Sequence, residues 1–506
     1  MSEIQDPPKK PRWQGLSHIQ INKREALSGF RWSLFYNVIN KFILPLTNNA
    51  IVVRALGPEI MGPYAILYAL YVASDVLRDF GLSQTYMRDH DMTPRKEASY
   101  MALGMLQGLI PASILFALRD VVANFYHKPV LSSLMIWICL GLVVNSFWTI
   151  PKAKVLKAGR IRESGARETI ANVTSVVLSI WLLFRGYTYL CLVLPLFVNC
   201  VLNVLITYAL APVTNFRFDF KTILKTARAA SSTVGASILY NVYVQSDKFV
   251  IGKLAGINLG QSLAAAGLYS QAQGLAMKPM QLLSVPMMAP LQAAFSQNSR
   301  NPEKIGNIYG RALAAALLFI VPLYAIMMVA AEPVTLAILG HKWRGSIPLV
   351  QICCIFYASR TIGTLGGTAL VAGGRARFAM TSWVFAYLTA AIGCVIATQY
   401  HRVEGFAWAF SVGAFTVYAV HTLFAFRWYR PDENAKTKLK QAGTVTVLSC
   451  LFFGMLYFLP VGPWIALALA CVLGPIAHLA IVGMVLERAP FAYMSVPGAK
   501  RLYRSL

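Results

Sequence analysis

Apolar runs long enough to cross a membrane follow one another along most of the chain. A helix of about 20 apolar residues spans a bilayer, so these runs predict an all-α polytopic membrane protein with about 14 transmembrane helices. They form two sets of six helices and a final pair. The predicted helices cover residues 30–54, 62–84, 98–118, 131–150, 168–185, 187–210, 229–254, 263–295, 307–331, 346–372, 378–399, 404–427, 442–459 and 463–486.

Polar and mostly basic connections divide these helices into regions. The most basic connection is a predicted loop at residues 151–168. Lys and Arg are concentrated in the connections on the side of the first arm, which predicts that both termini are cytoplasmic. The predicted regions are a basic arm at 1–28, a six-helix lobe at 29–210, a linker at 211–228, a second six-helix lobe at 229–428, a loop at 429–441, a helix pair at 442–486 and a basic tail at 487–506.

The beginning of the first lobe is repeated at the beginning of the second. The segment SLFYNVINK at 33–41 returns as SILYNVYVQ at 237–245. Because each lobe has an even number of spans, the two copies share one orientation in the membrane. We therefore expect pseudo-symmetric lobes with a substrate site between them. The turn after the first helix also returns, in the pairs RALG 54–57 with KLAG 253–256 and GPY 62–64 with GLY 267–269.

In each copy, polar residues fall on one face of the predicted helix, which turns by about 100° per residue. We call this row of residues a polar stripe. Polar side chains at bilayer depth face protein or water, so the stripes predict a shared cavity. Hydrogen-bonded packing between helices is the alternative. The first stripe contains Ser33, Asn37, Asn40, Lys41 and Asn48, and the second contains Ser237, Asn241, Gln245 and Lys248.

The composition of the chain excludes a soluble globular protein. Of 506 residues, 57% are hydrophobic and only 13% are charged, which is too little polar material to coat a soluble surface. The net charge of +26 is spread in short clusters between apolar runs. Membrane lipids are therefore the expected partners of these charges, and nucleic acid is not. The eight Cys show no metal spacing and no Walker motif is present, so no metal or cofactor is predicted.

Several cations within the predicted spans indicate a site for an anion. Guanidinium and ammonium groups bind phosphate oxygens through charge-assisted hydrogen bonds. Arg31 has the alternative of reaching the membrane surface, and Arg360 that of binding carbonyl groups of a neighbouring helix. The candidate substrate-binding residues are Arg31, Asn37, Lys41, Asn241, Lys248, Lys278 and Arg360.

Three acidic residues in the spans are candidates for coupling to H⁺ or Na⁺. Asp75 and Asp79 flank Arg78 on the second helix, and Asp247 precedes Lys248 on the seventh. Carboxylates within a membrane usually pair with cations or mark ion pathways. Ordinary ion pairs therefore remain the alternative for all three.

Long stretches of the chain resemble the polysaccharide flippases of the multidrug/oligosaccharidyl-lipid/polysaccharide exporter superfamily. The likeness covers about residues 29 to 430 and is spread over many helices. The sequence departs from the usual pattern at Lys248, where the family leads us to expect Asn. The resemblance is strongest in DKFVIGKLAG at 247–256, AGLYSQAQGLAMKPMQLLSVPMMAPLQAAFSQ at 266–297, AEPVTLAILGHKWRGSIPLVQI at 331–352 and ALVAGGRARF at 369–378.

The resemblance implies a transporter and not an enzyme. It implies alternating access that moves undecaprenyl-diphosphate-linked oligosaccharide across the bacterial inner membrane for exopolysaccharide, capsule or O-antigen synthesis. It also implies a cationic cavity that binds the diphosphate. Polysaccharide polymerase and export machinery are further partners that it suggests. The residues that would form the cavity are Arg31, Lys41, Lys248, Lys278 and Arg360.

Other functions stay open. A multidrug or small-molecule antiporter has the same fold, although an acidic cavity would suit cationic drugs better than the Lys residues found here. A lipid II flippase also has about 14 helices and a diphosphate substrate. A membrane glycosyltransferase or polymerase would need acids or a large domain at the outer surface, whereas the predicted outer loops are short.

Overall fold

The computed structural model describes residues 35–79, 82–88, 92–212, 235–254, 263–400 and 402–486, together with Trp32 and Leu224. Every regular element in these ranges is a helix, and they contain no strand. The predicted all-α fold class is therefore confirmed. We use "N-half" for residues 35–212 and "C-half" for residues 235–428.

The described helices follow the predicted order. The N-half contains α1 (residues 35–56), α2 (Pro58–Asp79), α3 (Leu82–Arg88), α4 (Pro94–Phe125), α5 (Val130–Ser146), α6 (Thr149–Lys157), α7 (Ile161–Phe184) and α8 (Leu190–Leu210). The C-half contains α9 (Gly235–Leu254), α10 (Ala264–Ala276), α11 (Val285–Gln297), α12 (Pro302–Val329), α13 (Ala331–Ile338), α14 (Ile347–Ala372), α15 (Ala376–Tyr400) and α16 (Val403–Trp428). The chain continues into α17 (Glu433–Tyr457) and α18 (Pro463–Leu486).

By length and hydropathy, nine helices among the described residues can cross a membrane. The number becomes ten if α5 and α6, which are bent by 42° at their junction, form one span. The chain is therefore a multi-pass membrane protein. The total of about 14 spans and the boundaries between regions stay predictions.

Helix α1 is irregular on both sides of Pro45. Two π-helical turns, Val38–Ile43 and Asn49–Val53, flank a short α-helical segment that contains this proline. Proline has no N–H to donate, so the helix widens locally where the usual bond is missing. The helix ends at Gly57, whose φ of 81° lies in the region that glycine adopts easily. The predicted turn at Gly57 is thus present.

Two predicted boundaries are wrong. The single span expected at 263–295 is broken, because α10 ends at Ala276 and a π-helical turn at Met280–Ser284 follows Pro279. The loop expected at 151–168 is helical, since it contains most of α6 and the first turns of α7. Burial of α6 explains the second error, because Ile150, Ala153 and Val155 are buried, whereas connecting loops usually lie at the surface.

The two halves are in direct contact at the end of the bundle that contains Gly57, which we name the Gly57 end. Helix α2 packs against α9 and α10 there. A Cβ atom added to Gly267 would lie 2.6 Å from the carbonyl oxygen of Pro58 and 2.9 Å from the amide nitrogen of Gly62. Gly62 and Gly267 are equivalent positions of the repeat. Equivalent positions touch when they lie beside the axis that relates two copies, as parallel repeats require.

Cations of each half bind carbonyl groups at helix ends of the other half. Arg54 Nη1 donates to the carbonyl oxygen of Ala337 at 3.0 Å, and Lys253 Nζ donates to that of Phe125 at 2.6 Å. Arg54 and Lys253 are equivalent in the repeat. The positive charges face the negative ends of helix dipoles, which favours the closed contact at the Gly57 end.

The final helix pair packs on α12. Its two helices share one polar contact of 2.8 Å between Ser449 Oγ and His478 Nδ1. Much of the remaining surface of the pair is apolar and exposed, including Met455 and Ile476. Such a surface suits contact with lipid.

Candidate functional site

A cavity of about 600 Å³ lies between the N-half and α10. Helices α1, α2, α7 and α8 supply most of its wall, and α10 with the following π-helical turn supplies the rest. The cavity extends from Met61, near the Gly57 end, to Trp148, near the opposite end, which we name the Trp148 end. It therefore penetrates between the halves where they are not in direct contact.

Two predicted lysines meet at this cavity. Lys41 Nζ lies 3.3 Å from Glu168 Oε1, and the Lys41 side chain is 50% exposed. Lys278 Nζ donates to the backbone oxygen of Lys41 at 3.0 Å. A smaller pocket beside them is also lined by Asn37 and Gln281. The structure thus brings Asn37, Lys41 and Lys278 together from the two halves.

A chain of side-chain amides crosses the N-half wall. Asn203 Nδ2 donates to Asn199 Oδ1 at 2.8 Å, and Asn199 Nδ2 donates to Asn172 Oδ1 at 2.9 Å. Asn172 Nδ2 donates to Asn40 Oδ1 at 3.2 Å, and Asn40 Nδ2 donates to Thr169 Oγ1 at 3.0 Å. These amides link α8, α7 and α1 and line the cavity, and the Nδ2 donor of each is paired.

Helix α2 contributes a row of tyrosines to the lining of the same cavity. The rings of Tyr64 and Tyr68 have centroids 5.9 Å apart, and those of Tyr68 and Tyr71 are 6.3 Å apart. Asn145 Nδ2 donates to Tyr71 Oη at 3.1 Å and to Asp75 Oδ1 at 3.2 Å. Asp75 therefore lines the cavity as the partner of an amide.

The polar stripe of α9 lies outside this lining. Lys248 Nζ is 3.0 Å from Gln245 Oε1 and 3.6 Å from Asp247 Oδ1. Asp247 Oδ2 accepts hydrogen bonds from Tyr269 and Gln273 of α10. All of these side chains are buried. They form a closed polar cluster within the C-half.

Arg360 and Asn241 also lie outside the lining of the cavity. The Arg360 guanidinium carbon is 5.6 Å from the centroid of the Tyr357 ring. The threonines on its helix bond to their own backbone, as Thr364 does to Thr361 O at 3.0 Å. The structure therefore places Arg360 within the C-half and apart from Lys41 and Lys278.

Arg31 lies outside the described residues, as do the side chains of Arg78 and Asp79. Within the part of the chain that is described, no group of three or more His, Cys, Asp or Glu side chains is arranged to hold a metal ion.

Several cavity residues were not predicted from the sequence. Glu168 is the last residue of the predicted loop at 151–168, and Asn145, Asn172 and Asn199 lie on helices that carry neither repeated stripe. A usable signal was present, since Asn within an apolar span is costly unless it has a polar partner.

Comparison with known proteins agrees with this architecture. Residues 51–348 match the family model described as "Polysaccharide biosynthesis protein". The lipopolysaccharide biosynthesis protein WzxC of Escherichia coli (strain K12) is 23% identical over 70% of this chain and 71% of its own length. The amylovoran biosynthesis protein AmsL of Erwinia amylovora is 20% identical over 58% of this chain and 75% of its own length.

Solved structures share the fold at low sequence identity. The lipid II flippase MurJ, in an inward closed conformation, superposes with a TM-score of 0.70 at 11% identity and covers 92% of this chain and 98% of its own. An inward-facing multidrug resistance transporter of the MATE family superposes with a TM-score of 0.60 at 15% identity, over 80% and 99% of the two chains. The family model covers more than half of the chain, so the protein belongs to the polysaccharide biosynthesis family and, as the resemblance indicated, to its flippase and exporter branch.

Proposed function

We propose that the protein moves undecaprenyl-diphosphate-linked oligosaccharide across the bacterial inner membrane for exopolysaccharide, capsule or O-antigen synthesis. The proposal rests on the cavity, in which Lys41 and Lys278 lie among amides and tyrosines. The chain that forms this cavity belongs to a polysaccharide biosynthesis family. The proposed partner is the lipid-linked oligosaccharide, with polymerase and export machinery acting before and after it. The protein acts as a transporter and not as an enzyme.

The chemistry of the lining matches the two parts of such a head group. Ammonium groups bind diphosphate oxygens through charge-assisted hydrogen bonds, which assigns the diphosphate to Lys41 and Lys278. Amides and phenol hydroxyls donate and accept hydrogen bonds, as sugar hydroxyl groups require, which assigns the sugars to the Asn172 and Tyr68 walls. The lipid tail stays in the bilayer.

Alternating access follows from the arrangement of the halves. The contact at Gly62 and Gly267 closes the Gly57 end, and the cavity extends towards the Trp148 end. With both termini in the cytoplasm, this state receives substrate from the inside. Outward movement of each negative charge is favoured by about 2.3 kcal/mol per 100 mV of inside-negative potential.

The remaining predicted residues would act in another conformation of the protein. Lys248, Asn241 and Arg360 would contact substrate when the C-half rearranges, and Arg31 would contribute from the start of the first helix. Asp75, Asp79 and Asp247 are the proposed groups for coupling to H⁺ or Na⁺.

The experiment is translocation in proteoliposomes that contain labelled undecaprenyl-diphosphate oligosaccharide and carry an imposed potential. Lys41→Gln and Lys278→Gln should each slow arrival of sugar at the opposite leaflet about tenfold, because each removes one charge-assisted hydrogen bond. Lys128→Gln, at an exposed connection, is the matched control and should be neutral. Arg360→Gln tests whether a cation outside the lining takes part.

Two results would contradict the proposal at different levels. Equal rates for wild type and both lysine variants would remove the proposed site and retain the flippase. Absence of movement by correctly inserted wild type would overturn the function itself.

Two further candidate cargoes have specific support. The superposition on a lipid II flippase favours lipid II as an alternative cargo of the same fold. The carboxylates of Asp75 and Glu168 in the cavity favour a cationic small molecule instead. Replacing the labelled oligosaccharide in the same vesicles by lipid II, or by a cationic dye, compares the three cargoes directly.

A further inference from the structure

Arg167 is a buried cation near the Trp148 end of the cavity. Its side chain is 2% exposed. Nη1 donates to Thr207 Oγ1 at 2.8 Å, and the guanidinium carbon lies 4.9 Å from the centroid of the Trp148 ring. One nitrogen and the plane of the guanidinium are therefore held in place by neighbouring side chains.

The other two nitrogens of Arg167 have no partner in the part of the chain that the structure describes. Nε and Nη2 are buried and make no hydrogen bond to any described residue, and no described carboxylate lies within ion-pair distance of the guanidinium. Leaving buried donors of a charged group unsatisfied costs free energy. A residue that served only to fill space would not need these donors. Nε and Nη2 share one edge of the guanidinium, and that edge binds two oxygens of a phosphate at once.

The surroundings of Arg167 are basic, and the nearby acids are engaged elsewhere. Lys152 Nζ lies 4.2 Å from the centroid of the same Trp148 ring. Glu168 pairs with Lys41. In the same region Glu97 pairs with Lys154 at 2.9 Å, and Glu163 pairs with Arg160.

The cavity wall separates this edge from the cavity itself. Trp148 and Asn203 line the cavity, and Trp148 Nε1 donates to Thr207 Oγ1 at 3.1 Å, the atom that also holds Arg167. Asn203 Oδ1 is a further buried atom without a partner. An anion in the cavity would therefore have to displace the Trp148 indole to reach Arg167.

We propose that Arg167 and Lys152, both against the Trp148 indole, form a phosphate subsite at the Trp148 end, separate from Lys41 and Lys278. The subsite rests on the proposed function, in which substrate enters the cavity from this end. The phosphate belongs either to the lipid-linked substrate or to a phospholipid head group, since both present the same oxygens. Binding there would hold a head group at the entrance before it reaches the lysines.

The test uses the purified full-length protein in phosphatidylcholine nanodiscs, with inorganic diphosphate as the probe and thermal unfolding as the readout. Diphosphate should raise the Tm of wild type, because a ligand that binds only the folded state stabilises it. Arg167→Gln should unfold no earlier than wild type without diphosphate, since it removes a buried charge that has no carboxylate partner among the described residues. In a background that carries Lys41→Gln and Lys278→Gln, and so lacks the other diphosphate site, it should also weaken the diphosphate response about tenfold or more.

Two further variants separate the subsite from general charge effects. Arg167→Lys keeps the charge and loses the two-nitrogen edge, so it should also bind diphosphate more weakly than wild type. Arg162→Gln is the matched control on the same helix, because Arg162 is exposed. A lower Tm for Arg167→Gln together with a wild-type response to diphosphate would overturn the subsite and make Arg167 a packing residue.

Nanodiscs with phosphatidylglycerol identify the source of the phosphate. A diphosphate response that the anionic lipid abolishes in wild type would assign the subsite to a lipid head group, and one that persists would assign it to the substrate. A wild type that shows no response in phosphatidylcholine would overturn the subsite. A protein that binds diphosphate through Arg167 but never translocates oligosaccharide would overturn the proposed function and leave the subsite.

Discussion

The polar stripes of α1 and α9 come from the same repeated sequence but have different environments. The Lys41 side chain is half exposed in a cavity and shares it with amides of α7 and α8. The Lys248 side chain is 9% exposed and lies in a closed cluster with Asp247. A repeat in sequence has therefore produced one accessible stripe and one internal stripe.

The neighbouring helix explains the difference. In the C-half, Tyr269 and Gln273 of α10 donate to Asp247 and satisfy the stripe from within. In the N-half, α1 faces Asn172 and Thr169 of α7, whose polar atoms extend along a wall instead of closing over it. The symmetric element is the contact of Gly62 with Gly267. The halves thus meet at equivalent positions of the repeat, whereas the packing of neighbouring helices determines which polar stripe is exposed.

Lys248→Gln should show the largest effect on stability. It leaves the buried Asp247 carboxylate without a cation, and breaking a buried pair in this way costs about 3 kcal/mol. Thermal unfolding of purified protein measures the loss, and Lys41→Gln is the matched control from the other copy. Similar Tm values for the two variants would show that the two stripes are equally exposed to solvent.

Gly267→Ala should disturb the symmetric contact. The new Cβ would meet backbone atoms of Pro58 and Gly62, which cannot rotate away as a side chain does. Overpacking of this kind costs about 1–3 kcal/mol, so the closed Gly57 end should become less populated. Cross-linking of cysteines introduced on α2 and α10 reports the closure.

Gly443→Ala is the control for that experiment, because a Cβ at Gly443 meets no atom within 4 Å. Cross-linking that is unchanged in Gly267→Ala, alongside unchanged cross-linking in Gly443→Ala, would contradict a close glycine contact at the axis.

Asn172→Leu should have a smaller effect. It removes the middle of the amide chain and leaves Asn40 and Asn199 without one partner each. Hydrogen bonds between membrane helices contribute about 1 kcal/mol, and water in the cavity can replace part of the loss. The Tm of the variant should therefore be slightly lower than that of wild type. Thr174→Val, which removes only a bond to the carbonyl of Ile170 on the same helix, should change less.

Sequence reasoning predicted the fold well because periodicity and apolar length are local properties. It singled out Asn37, Lys41 and Lys278, which the structure places together at the cavity. Their role in binding substrate stays a prediction. It did not predict that Lys248 would be enclosed, because enclosure depends on Tyr269 and Gln273 of another helix. Arg167 was missed for a related reason. The sequence of its segment predicts a basic loop, and only the structure shows that this segment is helical and partly buried.

The smallest predicted effect is the coupling of Lys41 and Glu168. Both side chains are more than one third exposed, and exposed ion pairs contribute less than about 1 kcal/mol. A double-mutant cycle of Lys41→Gln and Glu168→Gln on the free energy of unfolding should therefore give a coupling within that limit. A larger coupling would mean that the pair is desolvated, as Asp247 and Lys248 are. A weak pair would instead release the Lys41 ammonium group to an incoming diphosphate at little cost, which is the property that distinguishes the open stripe from the closed one.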